Sequence, residues 1–360
     1  MPMAEESTVA AKPRLNVRVV RYLLPLIVLG LAVHLILPQI ATLEDSLQVI
    51  RGMALWAVVL AVGMQALSYL GSGYLLRTLV AIAGQRLSVA RATLIFTAAS
   101  SVGMSGGGPV GNLTVTYRWI RGCGVSAEGA VLAGWLPVLF YDATLVIVGI
   151  FGLLRLLMVH ELSALQAIGF AFTLVLLVLI AGVVVWGVHR RPRLTALAVR
   201  LARRWAALRR RPYDRTTTEV AVGRLFSAWD AMRAGGWRGP ALGASLNTLF
   251  DMLTLYLLFV AAGHAVSPWV LLAGYGLPIL LGKVSFLPGG VGIVEVTMAA
   301  LYDGLGVPNE VTVVVILSYR FLSFWLPLVA GFPIIPYLQR VCGGVNDGTG
   351  SEQSLSVVRR

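Results

Sequence analysis

The chain has 360 residues, of which 58% are hydrophobic and 12% charged, with a mean hydropathy of +0.82. A soluble protein of this length could not bury so large an apolar fraction, which excludes a soluble globular domain. The net charge of +13 resides on loop arginines, which we expect to orient a membrane protein and contact anionic lipid headgroups at the cytoplasmic leaflet rather than nucleic acid.

Apolar runs long enough to cross a bilayer, roughly 20 residues each, occur at six places along the chain. Two further apolar segments are broken by Gly and Pro, and each is predicted to be a short helix in, a glycine loop and a short helix back. The sequence therefore predicts an all-α integral membrane protein with about six transmembrane helices and two re-entrant helical hairpins. The predicted spans are 22–40, 52–76, 126–157, 165–187, 240–262 and 310–338, and the hairpins are 92–122 and 269–304.

The distribution of basic residues predicts the orientation of these spans. With a cytoplasmic N-terminus and both hairpins re-entrant, 25 of the 29 Lys and Arg residues lie on the cytoplasmic side, as the positive-inside rule requires. The first hairpin then opens to the cytoplasm and the second to the outside, so the two halves form an inverted repeat, as in alternating-access carriers. We expect a multi-pass protein of the cell membrane with both termini cytoplasmic.

These spans divide the chain into tails, two membrane halves and a basic linker. In the linker, leucines recur at helical spacing with arginines on other faces, which is typical of an interfacial helix on the cytoplasmic leaflet. An ordinary topology-setting loop with some helix is the alternative. The predicted divisions are a cytoplasmic tail 1–20, a membrane domain 21–338 with halves 52–187 and 240–338 around the linker 188–239, and a disordered cytoplasmic tail 339–360.

Glycine-rich interruptions lie at matching places in the two halves, at 105–111 and 287–292. Broken hydrophobic segments in corresponding positions point to a binding site near the bilayer midplane. Free backbone N–H groups there could form a cradle for an anionic headgroup, while the alternative is close packing that only Gly permits. The candidate glycines are Gly107, Gly108, Gly111, Gly289, Gly290 and Gly292.

Charged residues inside predicted membrane segments are costly, at roughly 2.5 to 3.5 kcal/mol each, and rarely without function. Arg320, next to Tyr319, could bind a lipid phosphate through its planar guanidinium, or form a structural pair with Glu295. Lys283 could bind a headgroup or extend outward to the interface. Asp251 could be a proton or cation site, or a partner for Lys283. Asp142 completes the set of candidate substrate-binding residues.

No catalytic motif, metal-ligand cluster or nucleotide-binding sequence is recognisable, so we expect neither enzymatic activity nor a cofactor. An intramembrane lipid transferase that uses Asp142, Asp251 or Glu295 as its base is the less favoured alternative. Cys123 and Cys342 both fall on the predicted cytoplasmic side, so we expect free thiols.

Three second-half motifs carry a family resemblance: Leu-Pro-Gly-Gly-Val-Gly-Ile-Val-Glu at 287–295, Gly-Val-Pro at 306–308, and Tyr-Arg-Phe-Leu-Ser-Phe-Trp-Leu-Pro at 319–327. They resemble the lysylphosphatidylglycerol synthase transmembrane (flippase-like) family, over about 20–338. The first half departs from it, because Pro137 and Val138 stand where relatives often carry a Glu-Arg pair.

The resemblance implies a stand-alone member that binds and translocates an anionic phospholipid or a lipid-linked glycan. The aminoacyl transfer of the family resides in a soluble C-terminal domain. Only about twenty residues follow the last predicted span here, so we expect that activity to be absent. The alternative is a membrane anchor or partner subunit for a separate lipid-modifying enzyme, recruited through the arginine-rich linker.

Overall fold

The computed structural model describes residues 43–159, 175, 182, 190–208, 215–284 and 288–342. The predicted span 22–40, nearly all of the predicted span 165–187, the N-terminal tail and residues 343–360 of the C-terminal tail lie outside the described residues. Residues 339–342, predicted to begin that tail, are helical instead. Within the described part, the chain forms helices joined by turns, and no residue there is in a β-strand. The predicted all-α class is confirmed.

The helices follow the order expected for two similar halves joined by a linker. Four short segments of π-helix or 3-10 helix interrupt or join the described helices, and two of these overlap the predicted glycine interruptions. In chain order the helices are α1 (Leu43–Gly52), α2 (Leu55–Ile82), α3 (Val89–Val102), α4 (Gly108–Gly122), α5 (Ala127–Val159), α6 (Arg191–Leu208), α7 (Arg215–Ala231), α8 (Arg238–Ala261), α9 (Pro268–Val284), α10 (Ile293–Gly304), α11 (Asn309–Arg320) and α12 (Leu326–Cys342).

Four described segments are long and apolar enough to cross a membrane: Leu55–Ile82, Gly129–Gly152, Arg238–Ala261 and Asn309–Cys342. They match the second, third, fifth and sixth predicted spans. Leu55 exposes 79% of its surface, which suits a side chain that faces lipid. The last segment is α11 and α12 joined by a π-helical stretch, and it ends four residues beyond the predicted limit of 338.

Each predicted hairpin consists of two short helices that pack against each other across a glycine turn. The first glycine turn (Gly103–Gly107) joins α3 to α4, and the second glycine turn (Pro288–Gly290) lies between α9 and α10. The two glycine turns also contact each other. The contact brings together interruptions that come from opposite halves of the chain.

Helices α2 and α8 run antiparallel and in contact along their whole length. At one end the N–H of Ala54 donates to the carbonyl of Ala261 at 2.9 Å, and further along the Thr254 hydroxyl donates to the carbonyl of Ala61 at 3.4 Å. Residue numbers in these pairs increase along α2 and decrease along α8, so the two helices are antiparallel.

Small residues permit the close approach of α2 and α8. A β-carbon at Gly71 would lie 2.7 Å from the backbone nitrogen of Asn247, and one at Gly243 would lie 2.6 Å from that of Leu75. The contact is reciprocal: Gly71 of α2 packs against Asn247 of α8, and Gly243 of α8 packs against Leu75 of α2. Small residues at such crossings are typical of membrane helix pairs.

Helices of each half of the chain pack against helices of the other half. Helix α3 packs on α12, and α9 packs on α5, so each broken pair of helices lies against the long helix of the opposite half. One apolar core forms among α2 to α5 with α12, and the other forms among α8 to α11 with residues of α2 and α5. The halves therefore fold as one interlocked unit.

Cys123 and Cys342 form a disulfide, so the prediction of free thiols is wrong. Their Cα atoms lie 4.5 Å apart although 219 positions separate them in the chain. They meet because α12 packs on both α3 and α4, which brings the last turn of α12 to the end of α4. The adjacent Gly122 allows this approach, as a β-carbon there would overlap the carbonyl oxygen of Cys342.

The basic linker forms a helical hairpin of α6 and α7, which confirms the predicted helical pattern. The Arg191 guanidinium donates to the Asp230 carboxylate at 3.0 Å, and its Cζ lies 5.1 Å from the Phe226 ring centre. Hydrogen bonding to Asp230 raises the pKa of Arg191. Both charges are largely exposed, so this pair sets the hairpin geometry more than its stability.

Candidate functional site: an arginine beside the second glycine turn

Arg320 is the last residue of α11 and is buried in the interior. Its Nε donates to Glu295 Oε1 at 2.6 Å, and its Nη2 donates to the carbonyl of Gly289 at 2.9 Å. The guanidinium carbon also lies 4.7 Å from the centre of the Phe324 ring, within cation–π range. The arginine thus joins α11 to both the second glycine turn and the helix that follows it.

Glu295 lies in the first turn of α10, and both of its carboxylate oxygens have partners. Oε1 accepts from Arg320, and Oε2 accepts from the N–H of Gly292 at 2.6 Å. A carboxylate at this position satisfies a backbone N–H that the helix cannot pair and interacts favourably with the helix dipole. The predicted Arg320–Glu295 pair is present, with side-chain exposures of only 10% and 20%.

Both conformation and space require Gly289 and Gly290 in the second glycine turn, and conformation alone favours Gly292 just after it. Gly289 and Gly290 each have φ of 65°, and Gly292 has φ of 88°. A β-carbon at Gly289 would lie 2.0 Å from the Phe324 ring, and one at Gly290 would lie 2.6 Å from the Cα of Gly282. At Gly289 and Gly290 the structure favours the close-packing alternative over an open cradle.

The start of α4, directly after the first glycine turn, has more space around it. A β-carbon added at Gly108 or Gly111 would meet no atom within 4 Å. Gly107 belongs to the turn itself, and Gly108 follows it with φ of 59°. Of the two interruptions, the first therefore has open space beside its glycines at the start of α4, and the second has the buried charge.

Lys283 forms an ion pair with Asp142 across the contact between α9 and α5. The hypothesis that Asp251 is its partner is therefore wrong. The two side chains are 41% and 39% exposed, although Asp142 lies midway along a predicted membrane span. A partly exposed ion pair at that depth needs contact with water or a polar headgroup, since hydrocarbon does not solvate it.

Asp251 lies on α8 and is held by two tyrosines. Its Oδ2 accepts from the Tyr275 hydroxyl at 2.6 Å and from the Tyr319 hydroxyl at 2.7 Å. Tyr319 immediately precedes Arg320 on α11. Neighbouring residues therefore contact Asp251 on one side and the Glu295–Gly289 group on the other. All second-half candidates except Lys283 therefore belong to one connected group.

Tyr275 and the polar face of α2 were not among the residues predicted from the sequence. Asn247 Nδ2 donates to Ser68 Oγ at 2.7 Å and to Ser72 Oγ at 2.9 Å, and buried Gln65 continues the same face towards Asp251. A signal existed, because these α2 residues recur every three or four positions within an apolar run. Among the described residues, no group of three or more His, Cys, Asp or Glu is placed to hold a metal ion.

The fold and the charged interior define an integral membrane protein whose helices are broken at its centre. Residues 23–331 match the family described as Lysylphosphatidylglycerol synthase TM region, and the chain belongs to that family.

Individual relatives match shorter stretches. Two UPF0104 membrane proteins of Methanothermobacter thermautotrophicus are 33% identical over 89 residues and 38% identical over 86 residues, or 25% and 24% of this chain. A phosphatidylglycerol lysyltransferase of Staphylococcus aureus is 32% identical over 77 residues, or 21% of this chain. The matched stretch spans 26% of each UPF0104 relative and 9% of the staphylococcal protein.

Proposed function

We propose that this protein binds an anionic or glycan-bearing lipid at its broken helices and translocates it across the cell membrane. The observation that carries the proposal is the buried Arg320, which donates to the second glycine turn. That turn contacts the first glycine turn. The planar guanidinium of an arginine presents paired donors that suit a phosphate. Because Arg320 is buried, a phosphate from bulk solvent can reach it only if the helices move. The named activity of the staphylococcal relative supports phosphatidylglycerol as the first lipid to test.

An inverted repeat would supply the movement. Antiparallel α2 and α8, and the exchanged packing of α3 on α12 and α9 on α5, support two units related by a two-fold axis in the membrane plane. In such carriers the site lies at the repeat interface and access alternates between the two sides. Six spans, two re-entrant hairpins and cytoplasmic termini belong to this proposal.

The charged groups have distinct proposed roles. Lys283 and Arg320 attract the headgroup phosphate, and the carboxylates of Asp142 and Glu295 hold these cations while the site is empty. An incoming phosphate replaces a carboxylate as the partner, so the cation is never left unpaired at depth. Open space surrounds Gly108 and Gly111 in the first turn of α4, and N–H groups in the first turn of a helix suit an anionic headgroup.

The partner-subunit alternative is favoured by a different feature, the α6–α7 hairpin. It exposes Leu197 and Leu201 beside a run of arginines. This combination suits an anionic membrane surface, and the same surface could recruit a lipid-modifying enzyme. An enzyme that co-purifies with the full chain but not with a chain lacking 191–231 would favour this alternative.

Reconstitution tests the translocation proposal directly. Vesicles with and without the protein would carry a fluorescent phosphatidylglycerol, and dithionite added outside would bleach the outer leaflet. Translocating protein should let the bleached fraction exceed the outer-leaflet half, whereas a fluorescent phosphatidylcholine should move less. Equal bleaching with and without protein would exclude flipping of this lipid and leave the partner-subunit alternative.

A further inference from the structure

Asp251 is a carboxylate without a cationic partner in the described structure. The described ion pairs involve Asp230, Glu219, Asp142 and Glu295 instead. Its hydrogen bonds come from neutral side chains, namely the hydroxyls of Tyr275 and Tyr319 at 2.6 and 2.7 Å and the amide of Gln65. An ionised carboxylate in a membrane interior is costly unless a charge or water compensates it, so such groups are typical of proton pathways.

The surroundings of Asp251 are polar but carry few charges. Gln65 Oε1 and Tyr141 OH are buried and have no hydrogen-bond partner among the described residues, and buried polar atoms of this kind are typically hydrated. On α8 itself the other charged residue is Arg238, more than three helical turns away. The helices packed against α8 carry further titratable groups, which are Tyr69, Tyr74 and Arg77 on α2, Glu128, Tyr141, Asp142 and Arg155 on α5, Tyr275 and Lys283 on α9, and Glu310, Tyr319 and Arg320 on α11. Of these, Asp142 and Lys283 pair with each other.

The link from Asp251 to the candidate headgroup site is short. Tyr319 donates to Asp251, and the next residue, Arg320, donates to Glu295 and Gly289. The π-helical stretch Phe321–Trp325 follows directly. Such stretches break the regular hydrogen bonding of a helix and are frequent at functional sites. A change in the Tyr319–Asp251 contact can therefore alter the position of Arg320.

We propose that Asp251 is a proton-binding site linked through Tyr319 to headgroup binding at Arg320, so that the protein takes up a proton as it takes up an anionic headgroup. This inference rests on the function proposed above. Protonation makes the Asp251 carboxyl a weaker acceptor for the Tyr319 hydroxyl, and loosening that hydrogen bond frees the neighbouring Arg320 to bind a phosphate. By thermodynamic linkage, lower pH must then tighten headgroup binding, and headgroup binding must favour protonation.

A binding titration tests the linkage in the full-length protein. The probe is dioctanoyl phosphatidylglycerol, whose phosphodiester keeps a single charge in this range. For the wild type, the Kd should fall by about fivefold or more between about pH 7.5 and about pH 5.5. Asp251→Asn, which is permanently neutral, should show less than about a twofold change and resemble the wild type at low pH. Asp303→Asn, at an exposed carboxylate, is the matched control and should keep the wild-type dependence.

A second pair of variants tests the route. Tyr275→Phe and Tyr319→Phe each remove one hydroxyl bonded to the same carboxylate oxygen, but only Tyr319 adjoins Arg320. Tyr319→Phe should lose most of the pH dependence and Tyr275→Phe should retain it. Full dependence in Asp251→Asn, or in both tyrosine variants, overturns the proposal.

Infrared difference spectroscopy of the lipid-free protein separates this inference from the proposed function. As pH falls, a carbonyl stretch of a protonated carboxylic acid should appear in the wild type and be missing in Asp251→Asn. If the band titrates but no phosphatidylglycerol binds at any pH, the headgroup site fails while proton binding at Asp251 stands. A band that does not titrate, or that persists in Asp251→Asn, removes the proton site whatever the lipid result.

Discussion

Cys123 at the end of α4 is bonded to Cys342 at the end of α12, which ties the first half of the protein to its last helix. The bond closes a loop that contains the linker and the whole second half. Disulfides of this kind typically contribute about 2–4 kcal/mol, mainly by restricting the unfolded chain.

A protease site inserted between α6 and α7 would show whether this bond forms in the cell. Membranes prepared with thiols blocked should yield two fragments that stay joined on a non-reducing gel and separate after reduction. Cys342→Ser should give separate fragments in both gels. Separate fragments from the unaltered cysteines would mean that both are thiols in the cell.

Cysteine labelling tests the inverted arrangement of the two hairpins. Arg118 on α4 and Gly304 at the end of α10 are exposed and suit replacement by Cys. We expect the residue at 304 to react with an impermeant reagent added outside and the residue at 118 to react only after permeabilisation. The reverse pattern, or both on one side, would remove the inverted repeat. Gly122 is unsuitable for labelling because Cys342 leaves no room for a side chain.

Arg320→Lys should separate phosphate recognition from a purely structural pair. Lysine keeps the charge but cannot hold Glu295 and Gly289 in the two-donor geometry of the guanidinium. We expect normal protein levels in the membrane and about a tenfold loss of phosphatidylglycerol movement, as one charge-assisted hydrogen bond is worth about 1.5–3 kcal/mol. Arg340→Lys, at an exposed arginine of α12, is the matched control. Failure of Arg320→Lys to accumulate would instead favour the structural pair.

The Lys283–Asp142 pair gives opposite predictions for its two members. Lys283→Gln removes a cation and should weaken binding of phosphatidylglycerol, whereas Asp142→Asn frees Lys283 and should tighten it, each by about two- to fivefold. Thermal stability should change little, because partly exposed pairs contribute about 0–1 kcal/mol. Kd shifts of the same sign in both variants would show that the pair only holds α5 to α9.

Gly290 is crowded and Gly111 lies in open space, so substitutions at the two positions separate a role in close packing from a role in admitting a headgroup. Gly290→Ala places a methyl group 2.6 Å from the backbone of Gly282 at a positive φ, so it should destabilise the protein by about 1–3 kcal/mol. Gly111→Ala lies in open space within α4 and should be neutral or slightly stabilising in thermal unfolding. Gly111→Val should then block lipid movement without loss of stability. Equal unfolding temperatures for Gly290→Ala and the wild type would contradict the packing described here.

Much of the architecture is determined by the sequence alone, because bilayer thickness and backbone hydrogen bonding restrict the options. Apolar length predicts the four described spans, and Gly and Pro predict the breaks between α3 and α4 and between α9 and α10. Arg320 and Glu295 stand out in the sequence because charge is rare in such segments. Their pairing follows from the small number of charges available nearby.

The tertiary structure decided the partners that depend on how each helix is rotated and which neighbour it packs against. Hydropathy is nearly uniform around a membrane helix, so it cannot show that Lys283 faces Asp142 on α5 rather than Asp251 on α8. The same holds for Tyr275 and Tyr319, which meet at one carboxylate from different helices. The Cys123–Cys342 bond is the extreme case, since only the packing of α12 on α4 brings together residues 219 positions apart.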